Sequence, residues 1–479
     1  MKSSTSSQAI SRRAALASTG TAAASLFLTG AASVEAASTP AEGDDLAAVI
    51  TKTPFIDTHE HLVEEERRTG WSQPAPLLPC NDWALLFTHY LNSDLLVAGM
   101  PAKDYAAFTA PDTATSRKWA LLAPWWPAVK HTGYGQAVRI AIERLYGVSE
   151  LDGKTINRVA EGYRHTVKPG FYAIVLAQHA GVESCQVNSL EAPFMESRQP
   201  QLLMQDLSIL AFGAGSGNWK HFTDAEGSKA TDLAGWHRVI DHWFARYAPY
   251  ATAVKTQVAY SRRLDFEDVP AERAAEPFRK LLTGDPVSAD ERKAVDDHLF
   301  WHCVRRATAA GLPVKLHTGY YAGQNSMPLA RVAQNPGDVA ELLRHAPDTT
   351  FVLMHMGYPY QEQMLALAKH YANAVVDLCW AWLISPSATE RFVRDFLVTA
   401  PANKLLTFGG DYIPVEPVVG HATIARQGLT RALEGLIRDG WISRSEAIEL
   451  VPGLMNGNAR RIFRLEEKER ALGNAPWRS

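Results

Sequence analysis

Eight short runs of strand-forming residues recur along the chain, each followed by a stretch with helical spacing, and this alternation constrains the fold more than any other feature. A strand that leads through a helix into a neighbouring strand returns to the sheet in parallel, so the pattern points away from sandwiches and helix bundles. The runs are 54–58, 184–188, 202–212, 251–259, 313–317, 350–355, 374–378 and 404–408. Eight parallel strands are what close a (β/α)8 TIM barrel, an α/β fold. The crossover helices are clearest late in the chain. Across 290–311, Leu299, Val304 and Ala307 fall at helical spacing, and Gly311-Leu312-Pro313 stops the helix where the next strand begins.

The segment from about 80 to 168 interrupts the alternation after the first strand with a helical insertion rich in aromatics, among them Trp83, Phe87, Tyr90, Trp126 and Tyr134. On the catalytic face of a barrel such an insertion is a lid or substrate wall, or its aromatics simply build a core of their own. Residues 1–36 read as a targeting segment. Arg12-Arg13 precede a weakly apolar Ala/Ser/Thr-rich run that ends in small residues near Ala36, the pattern of a twin-arginine export signal. The run is too short and too interrupted for a membrane span, so residues 37–479 are expected as a single exported domain, periplasmic or secreted.

Lys2, Arg12 and Arg13 against Glu35 give this leader +2, so its removal takes the chain from −3 to −5. Without a polybasic block, nucleic acid and anionic membranes are not indicated as partners; a small molecule is, and homo-oligomerisation stays open. Cys80, Cys185, Cys303 and Cys379 lie far apart with no Cys-x-x-Cys, against a thiolate zinc site or a disulfide-dense scaffold.

The first run leads into Ile56-Asp57-Thr58-His59-Glu60-His61. Side chains two apart on a strand point to the same side, so His59 and His61 offer two imidazoles to one point, as a Zn²⁺-type site requires. The bland alternative is two unrelated polar residues at a strand–loop junction. Three later runs finish in the same manner, at His317, at His355 and, through Phe408-Gly409-Gly410, at Asp411. The C-terminal mouth of a barrel brings strand ends together, so His59, His61, His317, His355 and Asp411 can meet there. His89, His131, His165, His221, His302 and Asp377 close no strand in this way and read as ordinary surface or helix residues.

This pattern, with Ile56-Asp57-Thr58-His59-Glu60-His61, Lys315-Leu316-His317-Thr318-Gly319, His355-Met356-Gly357-Tyr358-Pro359 and Asn458-Ala459-Arg460-Arg461-Ile462-Phe463, resembles the amidohydrolase-related branch (amidohydrolase 2) of the amidohydrolase superfamily of metal-dependent barrel enzymes. The resemblance covers essentially everything after the leader. It implies one divalent ion, expected to be Zn²⁺, held by His59, His61 and Asp411 with His317 as a further ligand and His355 beside the ion or facing substrate. Such an ion lowers the pKa of a bound water towards ~7. Asp411 would then accept a proton and return it to the leaving group, while His355 polarises the scissile carbonyl.

Lys255, inside the apolar run 253–260, leaves three readings open: a carbamate bridging two ions with His317 and His355 on the second, an ammonium pairing a substrate carboxylate, or a lysine snorkelling from a strand end. Arg262 is either a carboxylate ligand or solvated. Tyr358 and Trp380 either wall an aromatic substrate site or pack against the insertion. The activity implied is hydrolysis of a C–N amide, ester or lactone bond in a small carboxylated substrate. Its alternatives are decarboxylation with the same ligands, a sugar-acid isomerase, which shares the first-strand pair and final aspartate without calling for Lys255, and a catalytically silent binding module.

Overall fold

A computed structural model of the chain describes residues 45–71 and 77–478; residues 1–36, which read as an export leader, lie outside the described residues. Its strands are β1 (Phe55–Glu60), β2 (Val182–Val187), β3 (Leu203–Gln205), β4 (Leu207–Ser208), β5 (Val254–Thr256), β6 (Val314–Leu316), β7 (Phe351–Leu353), β8 (Ala374–Asp377) and β9 (Leu405–Leu406), neighbouring in sequence order. All pairings are parallel. The run at 202–212 is not one strand but β3 and β4, divided at Asp206, and then a 3-10 turn over Ile209–Phe212. At Asp206 the backbone ladder changes partner, Asp206 N–H donating to Val187 O and Leu207 N–H to Ala253 O (2.9 Å each), while the Asp206 carboxylate meets Lys315 Nζ (2.7 Å) and the Thr252 hydroxyl (2.8 Å). β3 and β4 therefore occupy one of eight positions.

The last position bonds back to the first. Thr58 N–H donates to Phe408 O (3.0 Å), Asp411 N–H to His59 O (2.8 Å) and His61 N–H to Tyr412 O (2.9 Å), which gives the parallel (β/α)8 architecture. Inside, Ile56, Met204, Ala253, Val352, Val375 and Leu406 form an apolar cluster with Ala459 and Phe463 of the C-terminal segment. Asn458 secures that segment by donating from Nδ2 to Ala402 O (2.8 Å) and Leu405 O (2.9 Å) at the start of β9.

Between β1 and β2 the insertion is helical, with helices at Leu91–Val97, Ala102–Thr109, Thr115–Leu122, Gly133–Tyr146 and Ile156–Thr166. The longest begins at Thr132, whose hydroxyl accepts from Gly135 N–H, and ends at Gly147 in the left-handed conformation (φ 66°). Its aromatics divide into two groups. Trp83, Phe87, Phe108 and Trp126 pack edge to face with one another at 5.5–5.7 Å. Tyr90 and Tyr134 instead stack on Trp380 of the barrel mouth, at 4.4 and 6.4 Å.

A buried ion pair ties the chain after β1 to the chain after β9. Arg68 donates to Glu416 through both terminal nitrogens (2.6 and 3.2 Å) and to the Tyr163 hydroxyl of the insertion (2.6 Å). The four cysteines are buried and unpaired. No helix among the described residues is long and apolar enough to cross a membrane.

Candidate metal centre

β1 delivers two imidazoles to the barrel mouth, and the turn after β9 delivers a carboxylate. His59 Nε2 and His61 Nε2 each lie 3.3 Å from Asp411 Oδ1. At metal–ligand bonds of ~2.0–2.1 Å, the ligand atoms of a tetrahedral ion stand about 3.3 Å apart, which both imidazole–carboxylate distances match, and all three donors lie within 4.8 Å of one another. His61 Nδ1 faces Asn188 O at 2.7 Å; since a carbonyl only accepts, the proton sits there and Nε2 is left with its lone pair. Burial holds His61 at about 4, and holds His59 well below the ordinary histidine value with help from the nearby Lys255. Both rings are thereby kept neutral, as ligation demands. The donor set fits a divalent cation.

The same atoms are braced from behind. β1 carries a register irregularity between Asp57 and Glu60, which turns both carboxyls towards the Asp411 turn. Asp57 Oδ1 accepts from His59 N–H (3.1 Å) and Gly410 N–H (3.2 Å), and Glu60 Oε2 accepts from Tyr412 N–H (2.6 Å). Burial raises both acids, Asp57 to about 6 and Glu60 further, each acid opposing the ionisation of the other. Gly410 is obligatory here, because a Cβ on it would lie 1.8 Å from Glu60 Oε1. Deeper in the barrel, Lys315 Nζ donates to Thr58 O, Gln186 Oε1 and Asp206, each at 2.7 Å. This fully buried lysine anchors the strand that carries the two histidines.

Four residues at the mouth hold a left-handed backbone without being glycine: His355 (φ 60°), Met356 (φ 45°), Trp380 (φ 61°) and Asp411 (φ 61°). Such conformations cost roughly 1–3 kcal/mol each and persist where the surroundings over-determine them, as at binding sites. His355 reaches the cluster from the other side: one of its ring nitrogens, the Cys379 thiol and an Asp411 oxygen lie within 4.8 Å of one another. Its Nδ1–H donates to Cys379 O (2.9 Å) and its Nε2 faces His317 Nδ1 (3.0 Å).

His317 is not brought into the donor cluster expected for it. Its Nδ1 is taken by His355, and its Nε2 sits 2.9 Å from Tyr320 O, so it stands one ring further out. Lys255 is fully buried inside the mouth, its Nζ 3.5 Å from His59 Nε2 and 2.8 Å from Met354 Sδ; desolvation lowers it to about 8. Arg262 turns away from the mouth, because the 3-10 turn Val258–Tyr260 carries it onto Asp297 (2.6 Å) and over the Phe266 ring (4.4 Å). Trp380 meets His355 edge to face at 5.3 Å, and Tyr358 lies 6.1 Å from Tyr320, so both belong to the aromatic wall around the histidines.

Other contributors carry no strand-end signature. Gln257 brings Nε2 to 3.1 Å from His61 Nε2, and Tyr90 donates its hydroxyl to Asp411 O (2.6 Å). His89 accepts from Ile413 N–H (3.3 Å), and Asp377 lies 2.8 Å from the Thr58 hydroxyl, so neither is an ordinary surface residue.

Comparison with known proteins agrees with this architecture. Protein fluG of Emericella nidulans is 26% identical over 232 residues, which are 46% of this chain and 26% of that protein, so the chain spans about a quarter of the relative's length. The uronate isomerase of Thermotoga maritima superposes with a TM-score of 0.69 at 14% identity, covering 87% of this chain and 97% of its own. A Lactobacillus casei protein assigned to the metal-dependent hydrolases superposes at 0.61 and 17% identity, over 89% and 99% of the two chains. At such identities these structures speak for the barrel alone. Residues 221–465, which carry Lys255, His317, His355 and Asp411, match the family model described as Amidohydrolase. The chain belongs to the amidohydrolase family.

Proposed function

We propose that the chain is a metal-dependent hydrolase of a C–N amide, ester or lactone bond in a small molecule with a carboxylated reacting end, and that His59, His61 and Asp411 hold one ion, Zn²⁺ by donor type. The observation that carries this reading is the placement of two imidazole nitrogens 3.3 Å from one buried carboxylate oxygen. When bound, such an ion supplies Lewis acidity, acidifying a water and polarising a carbonyl oxygen.

The chain's own residues do the rest. Burial raises Asp411 to about 7, against the opposing pull of Lys255, so its carboxylate can take up a proton and release it at neutral pH. Tyr90 fixes the Asp411 backbone through its hydrogen bond to the carbonyl. His355 keeps its proton on Nδ1, held by Cys379 O, and as a neutral ring turns its Nε2 lone pair to His317 Nδ1 across 3.0 Å; the proton between the two rings, carried by His317, is the one available to a substrate oxygen. Lys255, as a free amine or ammonium, is the cation nearest the two first-strand histidines and the natural partner of a carboxylate at the reacting end. Export by the leader would deliver the folded, loaded enzyme outside the cytoplasm.

Hydrolysis incorporates an oxygen atom from solvent into the product, so turnover in ¹⁸O-labelled water tests the reading. Incorporation of label that is lost in Asp411→Asn is expected; release of carbon dioxide without label would favour a lyase and contradict hydrolysis.

A further inference from the structure

A cavity of about 870 Å³ opens beside the cluster, between the loops that follow β2, β4 and β5. Two of its lining side chains reach the histidines of the mouth, one of them a proposed ligand. Gln257 lines it with Nε2 3.1 Å from His61, and Tyr260 lines it with its ring 4.5 Å from that of His317. The volume lies towards the upper end of the ~300–1,000 Å³ of pockets that enclose a whole organic ligand, far more than the reacting end of a substrate needs. Its walls are largely apolar, with Ile209, Phe212, Trp243, Phe266, Leu299 and Phe300. Phe266 and Phe300 stack at 3.7 Å, an aromatic panel already closed on itself.

The charges of the lining all have one sign. Among the described residues no lysine, arginine or histidine lines the cavity, whereas Glu191 and Asp296 both do. Arg262, close by in the chain, is spent on Asp297 and the Phe266 ring and is not part of the lining. Glu191 pairs with Arg67, which is likewise not part of it. An anion placed in this cavity would lose water and face two carboxylates, while Arg67 and Arg262, already paired, lie behind the lining. An apolar group would gain by leaving water, and a quaternary ammonium would find aromatic faces and negative charge.

We propose that this cavity holds the non-reacting part of the substrate, and that this part is apolar and either uncharged or cationic. The inference rests on the metal-site reading above and adds the substrate class to it: a metal-facing head that tolerates a carboxylate because Lys255 is there, joined to a sizeable tail that is not itself an anion. A sugar acid, compact and polar throughout, does not have that form.

Hydroxamates bind protein-held metals through a constant head, so their tails report on the cavity whatever the reaction. Calorimetry on the zinc-loaded chain would compare acetohydroxamate, octanohydroxamate, its ω-trimethylammonio analogue and suberic acid monohydroxamate. The alkyl and trimethylammonio tails are expected to bind at least about tenfold more tightly than the acetyl head or the carboxylate tail. Leu210→Arg, at a half-exposed position of the lining, should abolish the disadvantage of the carboxylate tail. A carboxylate tail that binds the unaltered protein as tightly as the alkyl one, or tails that add nothing to acetohydroxamate, would overturn the proposal. Acetohydroxamate failing to bind, together with a protein that retains no zinc on elemental analysis, would overturn the metal reading and this one with it.

Discussion

Asp411 occupies a backbone conformation that aspartate tolerates at a cost, on a turn that has room only for glycine before it. The strain and the close approach serve one end, which is to bring Oδ1 within 3.3 Å of two imidazoles. Asp411→Asn keeps the shape and the tolerance for positive φ but removes the proton acceptor. It should lower kcat by about 10²–10⁴-fold with little change in thermal stability, and an unchanged kcat would show that the proton goes elsewhere. Gly410→Ala should act differently: its methyl group meets the Glu60 carboxylate, so the Asp57–Glu60 brace must yield, and zinc affinity measured by chelator competition should fall along with stability. At this scale the sequence was legible where chemistry coincides with strand ends, as at His59, His61, His355 and Asp411. It was silent on the brace, because residues three apart on a regular strand face opposite ways and only the irregularity in β1 turns Asp57 and Glu60 together. Arg262 misled for a related reason, since the 3-10 turn before it reverses the direction that an extended strand would have given.

The helical insertion and the barrel meet through two kinds of contact, each with a consequence of its own. Arg68 and Glu416 are both fully buried, so Arg68→Met would leave the carboxylate without its partner and should destabilise the fold by about 3–5 kcal/mol in denaturant titration. The double change Arg68→Met with Glu416→Leu should recover much of that loss. Tyr90→Phe removes one hydroxyl from the aromatic stack and leaves the Asp411 carbonyl unpaired, a cost of about 1–3 kcal/mol if no water replaces it. The expected outcome is a lower kcat with Trp380 still stacked, visible as unchanged near-UV circular dichroism. The barrel alternation could be read from the sequence because parallel strands and crossover helices leave a periodic record. Where Tyr90 and Tyr134 land could not, since the docking of an insertion depends on tertiary packing that local periodicity does not encode. Gln257, one residue past β5 and no usual ligand, was hidden for the same reason.

For the molecule as a whole, buried histidines and buried carboxyls pull the response to acid in opposite directions. Burial is the leading cause that lowers His61 and His237 to about 4 and His89, His355 and His421 to about 3, against 6.5 for the ordinary side chain. Between 6.5 and those values the unfolded chain binds more protons at these histidines than the folded one, so their contribution is complete above about 6.5 and falls as the pH drops, whereas Asp57, Asp377 and Asp411, raised by burial to about 6, 7 and 7, hold protons in the folded state over part of the same range and offset it. The net effect expected in the metal-free protein is a lower unfolding temperature at about pH 5 than at about pH 7, the histidines outweighing the carboxyls, and imidazole NMR signals of the folded protein that titrate near 6.5 at these positions would contradict the neutral state of these rings. Zinc loading should steepen the dependence, because protons compete with the ion for His59 and His61. The most direct test of the central claim is anomalous diffraction at the zinc edge from crystals of the loaded protein. One peak per chain, within ~2.0–2.2 Å of His59 Nε2, His61 Nε2 and Asp411 Oδ1, is the predicted result; no peak there, or an ion held by His317 and His355 without the first-strand pair, would contradict it.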